Sequence, residues 1–306
     1  MTSIRGQIAL VTGASAGIGR AAALLLAEQG VRVFAAARRL DKLEALAAEA
    51  HTKGWLIEAV QLDVTDADSI ERAMQHIRQA TDGYELDILV NNAGYGQMGP
   101  LEEVPLAALR QQFETNVFGV VALIQRVVPP MRQRRHGRII NISSLGGRLA
   151  LPYGGAYSAT KYAVEAISDA LRIELAPWNI RVIVVEPGLI ATEFGNVATS
   201  NLPHSSDSAY AHATTFMSMF EHGAGFGAAP TVVGNAVVRA ARNRRPAARV
   251  VVPAFYGPLL RLAELLPVAV LDAATKLAIR AIEKVVPYLD QTAKPDHPTL
   301  DQESNG

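Results

Sequence analysis

Three side chains, Ser144, Tyr157 and Lys161, have the types and spacing for proton transfer at a carbonyl or alcohol oxygen. Apolar residues recur at helical spacing after Tyr157, so Tyr157 and Lys161, four positions apart, are expected on one face of a helix. A free tyrosine has a pKa near 10, and lowering it to about 7 requires roughly 4 kcal/mol of preferential phenolate stabilisation. The Lys161 ammonium and a second cation could supply this, while Ser144 hydrogen-bonds the same substrate oxygen.

A structural role is the alternative for this pattern. In an isolated Tyr-x-x-x-Lys, the common arrangement is a half-buried ring lying under a solvated lysine. The catalytic interpretation therefore depends on whether the rest of the chain supplies a site for a cofactor and a substrate.

Composition favours a large globular protein and excludes several classes of function. The chain has 306 residues, 49% of them hydrophobic, and 29 basic side chains balance 29 acidic ones. A net charge of zero favours no nucleic-acid partner. With no cysteine and seven scattered histidines, no metal site is predicted. The chain shows neither a complete signal-peptide pattern nor an uncharged apolar run of about eighteen residues, so we expect a cytoplasmic protein.

Apolar strand-like segments alternate with longer amphipathic ones, which is typical of a parallel sheet covered by helices on both faces. We predict an α/β fold, a doubly wound parallel seven-stranded sheet that binds ligands at the carboxyl ends of its strands. The predicted strands are Gln7–Val11, Val31–Ala36, Leu56–Leu62, Asp87–Val90, Arg138–Ile142, Ile180–Val185 and Arg249–Val252. The predicted helices are 18–29, 41–51, 66–81, 105–134, 157–177 and 231–242.

A glycine-rich stretch follows the first predicted strand and precedes an alanine-rich helix. Gly13, Gly17 and Gly19 give the spacing G-x-x-x-G-x-G, with Ser15 and Ile18 between them. Such glycines let the turn take positive φ and let backbone amides approach a pyrophosphate at the helix N-terminus. An ordinary tight turn is the alternative, but the position after the first strand favours a dinucleotide-binding loop.

The end of the second predicted strand bears on which dinucleotide is bound. NAD-binding sites normally place an acidic residue there for the ribose hydroxyls, whereas this chain has Ala37, Arg38 and Arg39. A guanidinium binds a 2′-phosphate through charge-assisted bidentate hydrogen bonds, so we predict NADP(H). The alternative is two solvated arginines at the start of a surface helix, with Asp41 and Glu44 as partners.

Small and polar residues end the next two predicted strands. Asp63 and Val64 close the third, and Asn91-Asn92-Ala93-Gly94 follows the fourth. Both suit an adenine pocket with a close backbone approach, although Asn-Asn-Ala-Gly could be a plain turn. Asn116 lies inside an otherwise apolar helix, where asparagine is unfavourable, so we expect a polar partner such as a water leading to Lys161.

Taken together, these motifs resemble the short-chain dehydrogenase/reductase family over residues 5–195, and more loosely to about 252. The resemblance implies a Rossmann fold, a small hydrophobic carbonyl or alcohol substrate and a homodimer or homotetramer. The stretches near Gly94, Gly99 and Leu151 are similar to the branch of hydroxysteroid and retinol dehydrogenases. The matching motifs are Thr12-Gly13-x-x-x-Gly17-Ile18-Gly19, Asn91-Asn92-Ala93-Gly94, Asn116, Ser144, Tyr157, Lys161 and Pro187-Gly188-x-x-x-Thr192.

The resemblance also implies the roles of the catalytic residues. Tyr157 would be the general acid in reduction and the base in oxidation. Lys161 would lower the pKa of Tyr157 and hold the nicotinamide ribose, and Ser144 would polarise the substrate oxygen. Asn116 would anchor a proton-relay water.

The cofactor-binding residues implied by the resemblance extend along several strand ends. Ile190 and Thr192 would contact the nicotinamide carboxamide and fix the face that delivers hydride. Arg38 stands one place after the aspartate of NAD-using members, which is the family pattern for NADP(H). The full set is Gly13, Ser15, Gly17, Ile18, Gly19, Arg38, Arg39, Asp63, Val64, Asn92, Ala93, Gly94, Tyr157, Lys161, Pro187, Gly188, Ile190 and Thr192.

The C-terminal third of the chain has the fewest recognisable sequence motifs. We assign one Rossmann domain to residues 1–253. Within it, residues 193–229 correspond to the family's substrate lid, which would suit a bulky apolar substrate. The alternative for 193–229 is a disordered surface insertion. Residues 254–287 are predicted as an apolar helical extension that roofs the pocket, packs on a partner subunit or lies on a membrane surface. Residues 288–306 are polar and predicted to be disordered.

Three hypotheses for function follow. The first is an NADP(H)-dependent carbonyl reductase or secondary-alcohol dehydrogenase acting on a hydrophobic substrate. The second keeps the cofactor but makes the protein a nucleotide sensor or interaction partner without turnover. The third attaches the protein to a membrane surface through 254–286 and is compatible with the first. An intact Asn-Ser-Tyr-Lys set favours the enzyme.

Overall fold

The computed structural model describes residues 2–83, 85–195, 209–210 and 227–292, without the side chains of 282–292. In these residues seven parallel strands form one sheet in the order β3-β2-β1-β4-β5-β6-β7. The order reverses between β1 and β4, where a doubly wound sheet opens a crevice for ligands. The predicted fold class is confirmed. The strands are β1 (Ile8–Thr12), β2 (Arg32–Ala37), β3 (Ile57–Gln61), β4 (Ile88–Asn91), β5 (Gly137–Ile142), β6 (Ile180–Pro187) and β7 (Arg249–Val252).

Helices cover both faces of the sheet, with ends within about two or three residues of most predictions. The helices are α1 (Gly17–Glu28), α2 (Leu40–Thr52), α3 (Ala67–Ala80), α4 (Leu106–Phe113), α5 (Gly119–Arg134), α6 (Gly155–Glu174), α7 (Pro230–Arg242), α8 (Tyr256–Leu265) and α9 (Val268–Thr292). The single helix predicted over 105–134 is wrong, because a π-helical turn at Glu114–Phe118 separates α4 from α5.

Alternate side chains along the strands pack in two hydrophobic layers, one on each face of the sheet. In β1, Ala9 and Val11 join the layer beneath α1, α2 and α7, whereas Leu10 joins the layer beneath α3 and α5. All three side chains are fully buried. Burying an aliphatic side chain of this size contributes about 1.5–3 kcal/mol, so both faces stabilise the sheet that aligns the strand ends.

The C-terminal extension forms helices α8 and α9. Helix α8 buries Leu260 and Ala263, but Leu259, Leu262 and Leu265 are exposed by 62%, 56% and 83%. Helix α8 therefore presents only one narrow face to the body of the protein. Among the described residues, no helix is long and apolar enough to cross a membrane.

Two predicted segments fall largely outside the described residues. The predicted lid, 193–229, is described only at 193–195, 209–210 and 227–229. The predicted tail, 288–306, is described to residue 292, where α9 ends. The helix thus continues past the predicted boundary at 287, in keeping with the apolar residues Tyr288 and Leu289 that follow Pro287 in sequence.

Candidate active site

A cavity of about 1060 Å³ runs along the carboxyl ends of the strands. It brings together segments predicted separately from sequence, from the glycine-rich loop to the end of β6. Every predicted site residue lines it except Gly19 and Asn116, which lie behind its wall. The predicted residues on its wall are Gly13, Ser15, Gly17, Ile18, Arg38, Arg39, Asp63, Val64, Asn92, Ala93, Gly94, Ser144, Tyr157, Lys161, Pro187, Gly188, Ile190 and Thr192.

The glycine-rich loop is clamped between β1 and the residues after β4. Gly13 has φ +64°, and a Cβ on Gly19 would lie 2.3 Å from the Gly13 carbonyl oxygen. The Asn92 side chain donates to the Thr12 carbonyl at 2.9 Å, and the Thr12 hydroxyl accepts from the backbone amides of Asn92 and Ala93 at 3.0 Å each. Asn92 and Ala93 therefore shape the loop. Thr12, omitted from the predicted site, holds the two parts together.

The N-terminus of α1 has backbone amides that no side chain caps. Its N-cap, Ala16, provides no side-chain cap, and the first turn carries no acidic residue. The first amides of a helix lack partners within the helix and carry a partial positive charge. A pyrophosphate fits this position, because glycines at the turn leave the backbone open to a close approach.

Two guanidinium groups lie on the cavity wall after β2. The Arg39 side chain donates to the Ser15 hydroxyl at 3.1 Å and lies 3.9 Å from a carboxylate oxygen of Glu193. Arg38 also lines the cavity, near Asp63. Burial opposes ionisation of Asp63, but hydrogen bonds from Thr65 and the charge of Arg38 outweigh it and hold the pKa of that carboxyl below its usual value. In the described part of the chain, neither arginine forms the ion pair with Asp41 or Glu44 that the alternative interpretation required.

The three candidate catalytic side chains meet in the floor of the cavity. Tyr157 is half-buried in the first turn of α6, and Ser144 follows β5. The Ser144 Oγ accepts from the Gly146 amide at 3.0 Å, and Ser144 lies close enough to Tyr157 to act on the pKa of the phenol. Lys161 Nζ donates to the Ile142 carbonyl at 2.9 Å and lies 5.7 Å from the centre of the Tyr157 ring.

Burial shifts the pKa of both groups toward their neutral forms. The pKa of Tyr157 is raised to about 12 by burial, which the hydrogen bond from Ser144 only partly offsets. Burial lowers the pKa of Lys161 to about 8, against the opposing charge of Glu165. In the protein alone Tyr157 is therefore a protonated acid at neutral pH, and the predicted pKa near 7 requires an additional positive charge.

Asn116 has direct protein partners. Its Oδ1 accepts from the Tyr95 amide at 3.1 Å, and its Nδ2 donates to the Tyr95 carbonyl at 2.9 Å and to the Thr160 hydroxyl at 3.1 Å. These bonds form where the π-helical turn widens the helix, a feature frequent at functional sites. The predicted polar partners of Asn116 are thus present as protein groups, the backbone of Tyr95 and the Thr160 hydroxyl.

Apolar side chains surround the end of the cavity beside Tyr157. The Phe194 ring lies 5.3 Å from the Tyr157 ring, centre to centre. Tyr256 packs on the Pro187-Gly188 motif so closely that a Cβ on Gly188 would lie 2.4 Å from its ring. Phe194 belongs to the predicted lid, and Tyr256 and Leu259 to the extension for which a roof over the pocket was one expectation. The apolar residues here that fall outside every predicted site segment are Met98, Leu145, Leu149 and Leu151. An apolar stretch after the last strand was the only sequence signal for Tyr256 and Leu259.

The fold and the site together define a dinucleotide-binding protein of the Rossmann type with a Ser-Tyr-Lys set at the cofactor crevice. Residues 7–202 match the family model described as short chain dehydrogenase. The chain belongs to the short-chain dehydrogenase family, whose members are oxidoreductases that use a nicotinamide cofactor.

Three comparisons illustrate this relationship. The chain is 35% identical over 269 residues to retinol dehydrogenase 8 of Bos taurus, covering 83% of each chain. A short-chain dehydrogenase structure from Streptomyces avermitilis matches with a TM-score of 0.74 and 32% identity, covering 95% of this chain and 100% of the other. An alcohol dehydrogenase from Thermococcus sibiricus, solved with 5-hydroxy-NADP, matches with a TM-score of 0.67 and 25% identity, covering 81% and 96%. The predicted likeness to retinol dehydrogenases is confirmed.

Proposed function

We propose that this protein is an NADP(H)-dependent oxidoreductase that interconverts a carbonyl group and a secondary alcohol on a hydrophobic substrate. The observation that carries the proposal is that Ser144, Tyr157 and Lys161 face the same cavity as the glycine-rich loop and the arginines after β2. A protein that only sensed the nucleotide would have no need for a phenol, a hydroxyl and an ammonium beside an apolar pocket.

The residues on the cavity wall fit NADP(H) along its length. The amides at the start of α1 suit the pyrophosphate, and Asp63 and Val64 suit the adenosine half. Arg38, Arg39 and the Ser15 hydroxyl form a polar corner at the end of β2, and positions 37–39 carry no acidic residue that could bind a free ribose 2′-hydroxyl. Such a corner favours a 2′-phosphate.

The proton chemistry belongs to Tyr157. When bound, the nicotinamide supplies or accepts the hydride at the substrate carbon. In reduction, the protonated Tyr157 hydroxyl donates its proton to the substrate oxygen as negative charge develops there. Ser144 is positioned to hydrogen-bond the same oxygen, since it lies beside the phenol. In the protein without cofactor, burial raises the pKa of Tyr157 to about 12, so the phenol carries its proton at neutral pH.

The substrate is proposed to be neutral and apolar around its reacting group. The cavity end beside Tyr157 is formed by leucine, methionine and aromatic side chains. Such a surface gains free energy by excluding water from apolar ligands, at about 25 cal/mol per Å² buried. Retinol dehydrogenase 8, the Bos taurus relative, is named for an apolar alcohol.

A turnover screen tests the proposal directly. Ketones and aldehydes of increasing apolar size, including steroids, retinoids and aromatic ketones, are incubated with NADPH, and the loss of NADPH absorbance is followed. We expect turnover of at least one bulky apolar carbonyl, and of the matching alcohol with NADP⁺ at high pH. Tight NADPH binding without turnover of any of them would support the nucleotide-sensor hypothesis.

Removing the Arg38 guanidinium is expected to weaken NADPH binding selectively. A hydrogen bond to a charged group contributes about 1.5–3 kcal/mol, so Arg38→Ala should raise the Kd of NADPH roughly ten- to a hundredfold. The Kd of NADH should change less than about twofold, because NADH has no 2′-phosphate. Titration of both cofactors by fluorescence gives the two constants.

Lys42 provides the matched control for this test. It is an exposed cation on α2 outside the cavity wall, so Lys42→Ala should leave both cofactor affinities unchanged. Adding Ala37→Asp to Arg38→Ala should shift the preference toward NADH. A parent protein that already binds NADH more tightly than NADPH would contradict the assignment.

A further inference from the structure

A line of charged side chains connects the loop after Ser144 to helix α8. Arg148 ends the short helical turn Leu145–Gly147 that begins at Ser144, and its amide donates to the Leu145 carbonyl at 3.0 Å. One guanidinium nitrogen of Arg148 donates to Glu186 Oε1 on β6 at 2.9 Å, and the other pairs with Glu264 on α8. Arg148 therefore joins three elements that border the cavity.

Arg148 and Glu186 have several contacts within the body of the protein. Glu186 is fully buried, and its Oε1 also lies 3.3 Å from Nε of Arg249. The Tyr162 hydroxyl on α6 donates to the Arg148 carbonyl at 2.6 Å. Glu186 thus has two cationic partners, Arg148 and Arg249. With one guanidinium nitrogen of Arg148 bound to Glu186, the other is left to pair with Glu264. Burial disfavours the charge of Arg148, but Glu186 and Glu264 outweigh it and raise its pKa.

Within the described residues, α8 is held to the body of the protein by a small apolar surface. Helix α8 buries only Leu260 and Ala263, while Leu259, Leu262 and Leu265 remain exposed. A helix held along so narrow an apolar strip can rotate or separate from the body at low cost. The Arg148–Glu264 pair lies near its C-terminal end, and Tyr256 lies against Gly188 at its N-terminal end.

The position of α8 matters because its first turns form part of the cavity wall. Tyr256 and Leu259 line the cavity at the end where Phe194 contacts Tyr157. Movement of α8 would widen or narrow this end without touching the arginines after β2 or the glycine-rich loop. A bulky ligand would meet these side chains, whereas a small ketone at Tyr157 would not depend on them.

We propose that Arg148 is a positioning residue that, through Glu264, docks α8 and thereby sets the size of substrate the cavity accepts. This inference rests on the proposed function, since it concerns the substrate end of the same cavity. In this proposal, Tyr256 and Leu259 of the C-terminal extension form the part of the cavity wall that limits substrate size.

The test uses variants of Glu264, because Arg148 adjoins the catalytic loop. Glu264→Ala removes the acceptor, and Glu264→Gln keeps a neutral acceptor in the same place. Arg261→Ala is the control, since Arg261 is an exposed charge on the same helix with no ion pair within 4 Å in the described residues. All three are made in the full-length chain. Two measurements are taken: amide hydrogen exchange in α8, and kcat/KM for one bulky and one small ketone.

We expect Glu264→Ala to speed exchange of the α8 amides about tenfold and to lower kcat/KM for the bulky ketone about tenfold, mainly through KM. The small ketone and the Kd of NADPH should change less than about twofold. Glu264→Gln should fall between Glu264→Ala and the parent, and Arg261→Ala should match the parent.

Other outcomes would overturn the inference. Unchanged exchange in Glu264→Ala would show that Leu260 and Ala263 alone dock α8. Faster exchange with equal losses for both ketones would show that α8 does not discriminate by size. If the parent turned over neither ketone, the proposed function would fail on that observation, while the exchange measurement would still decide whether the ion pair docks α8.

Discussion

Tyr157→Phe is expected to reduce kcat for ketone reduction by about a thousandfold or more while the protein remains folded and binds NADPH. The change removes a single hydroxyl, whose proton would otherwise pass to the substrate oxygen, and positioned general acids contribute about 10²–10⁴ in rate. Ser144 lies beside that hydroxyl and can hydrogen-bond the same substrate oxygen, but as a far weaker acid it is a poor substitute for the phenol. Turnover is measured under single-turnover conditions with NADPH in excess.

Two controls accompany this variant. Thermal unfolding should change little, because phenylalanine fills the same volume in the half-buried position of Tyr157. The Kd of NADPH should stay within about threefold of the parent, because the phenol contributes one hydrogen bond at most. If the variant retains more than a tenth of the parental rate, Tyr157 is not the proton donor.

The second large effect is expected for Lys161→Met, which should impair both turnover and cofactor binding. Lys161 is 7% exposed, and its Nζ is held by the Ile142 carbonyl beside the Tyr157 ring. Methionine fills most of the buried volume and so limits the cavity penalty that alanine would add. We expect kcat to fall about a hundredfold or more and the Kd of NADPH to rise about tenfold, because one ammonium serves the phenol and the cofactor ribose.

The separation of the two effects decides what Lys161 does. A variant with unchanged NADPH affinity and low kcat would restrict Lys161 to the proton transfer. A variant with weak NADPH binding but normal kcat at saturating NADPH would restrict it to the cofactor. Lys161→Arg is the matched charge-conserving control, and it should recover cofactor affinity more than turnover because the guanidinium cannot occupy the same narrow position.

The parts of the fold that follow from local pattern were predictable from sequence. The strand pattern of Ile8–Thr12 and the glycines after it depend on residues close in the chain, and the structure places them as expected. Tyr157 and Lys161 were placed on one helix face by their four-residue spacing. The prediction of a common cavity also held, because parallel strands present their carboxyl ends at one edge of the sheet.

Features that depend on contacts between distant segments were not predictable. The π-helical turn at Glu114–Phe118 occurs where Asn116 binds the backbone of Tyr95, and helical periodicity carries no signal for that contact. Likewise, the packing of Tyr256 on Gly188 joins residues far apart in sequence. The narrow buried face of α8 was also not predictable, because the hydrophobicity of its leucines does not say how many sides of a helix the body covers.

Transfer of deuterium from NADPH to a ketone tests the central claim most directly. The protein is incubated with a bulky apolar ketone and with NADPH labelled at either of the two positions of nicotinamide C4, and the alcohol is analysed by mass spectrometry. We predict deuterium at the carbinol carbon from one of the two labelled cofactors and not from the other, with no label transferred by Tyr157→Phe in the same period. Bound NADPH that transfers label from neither position, to any ketone in the series, would contradict the assignment of this protein as an NADP(H)-dependent oxidoreductase.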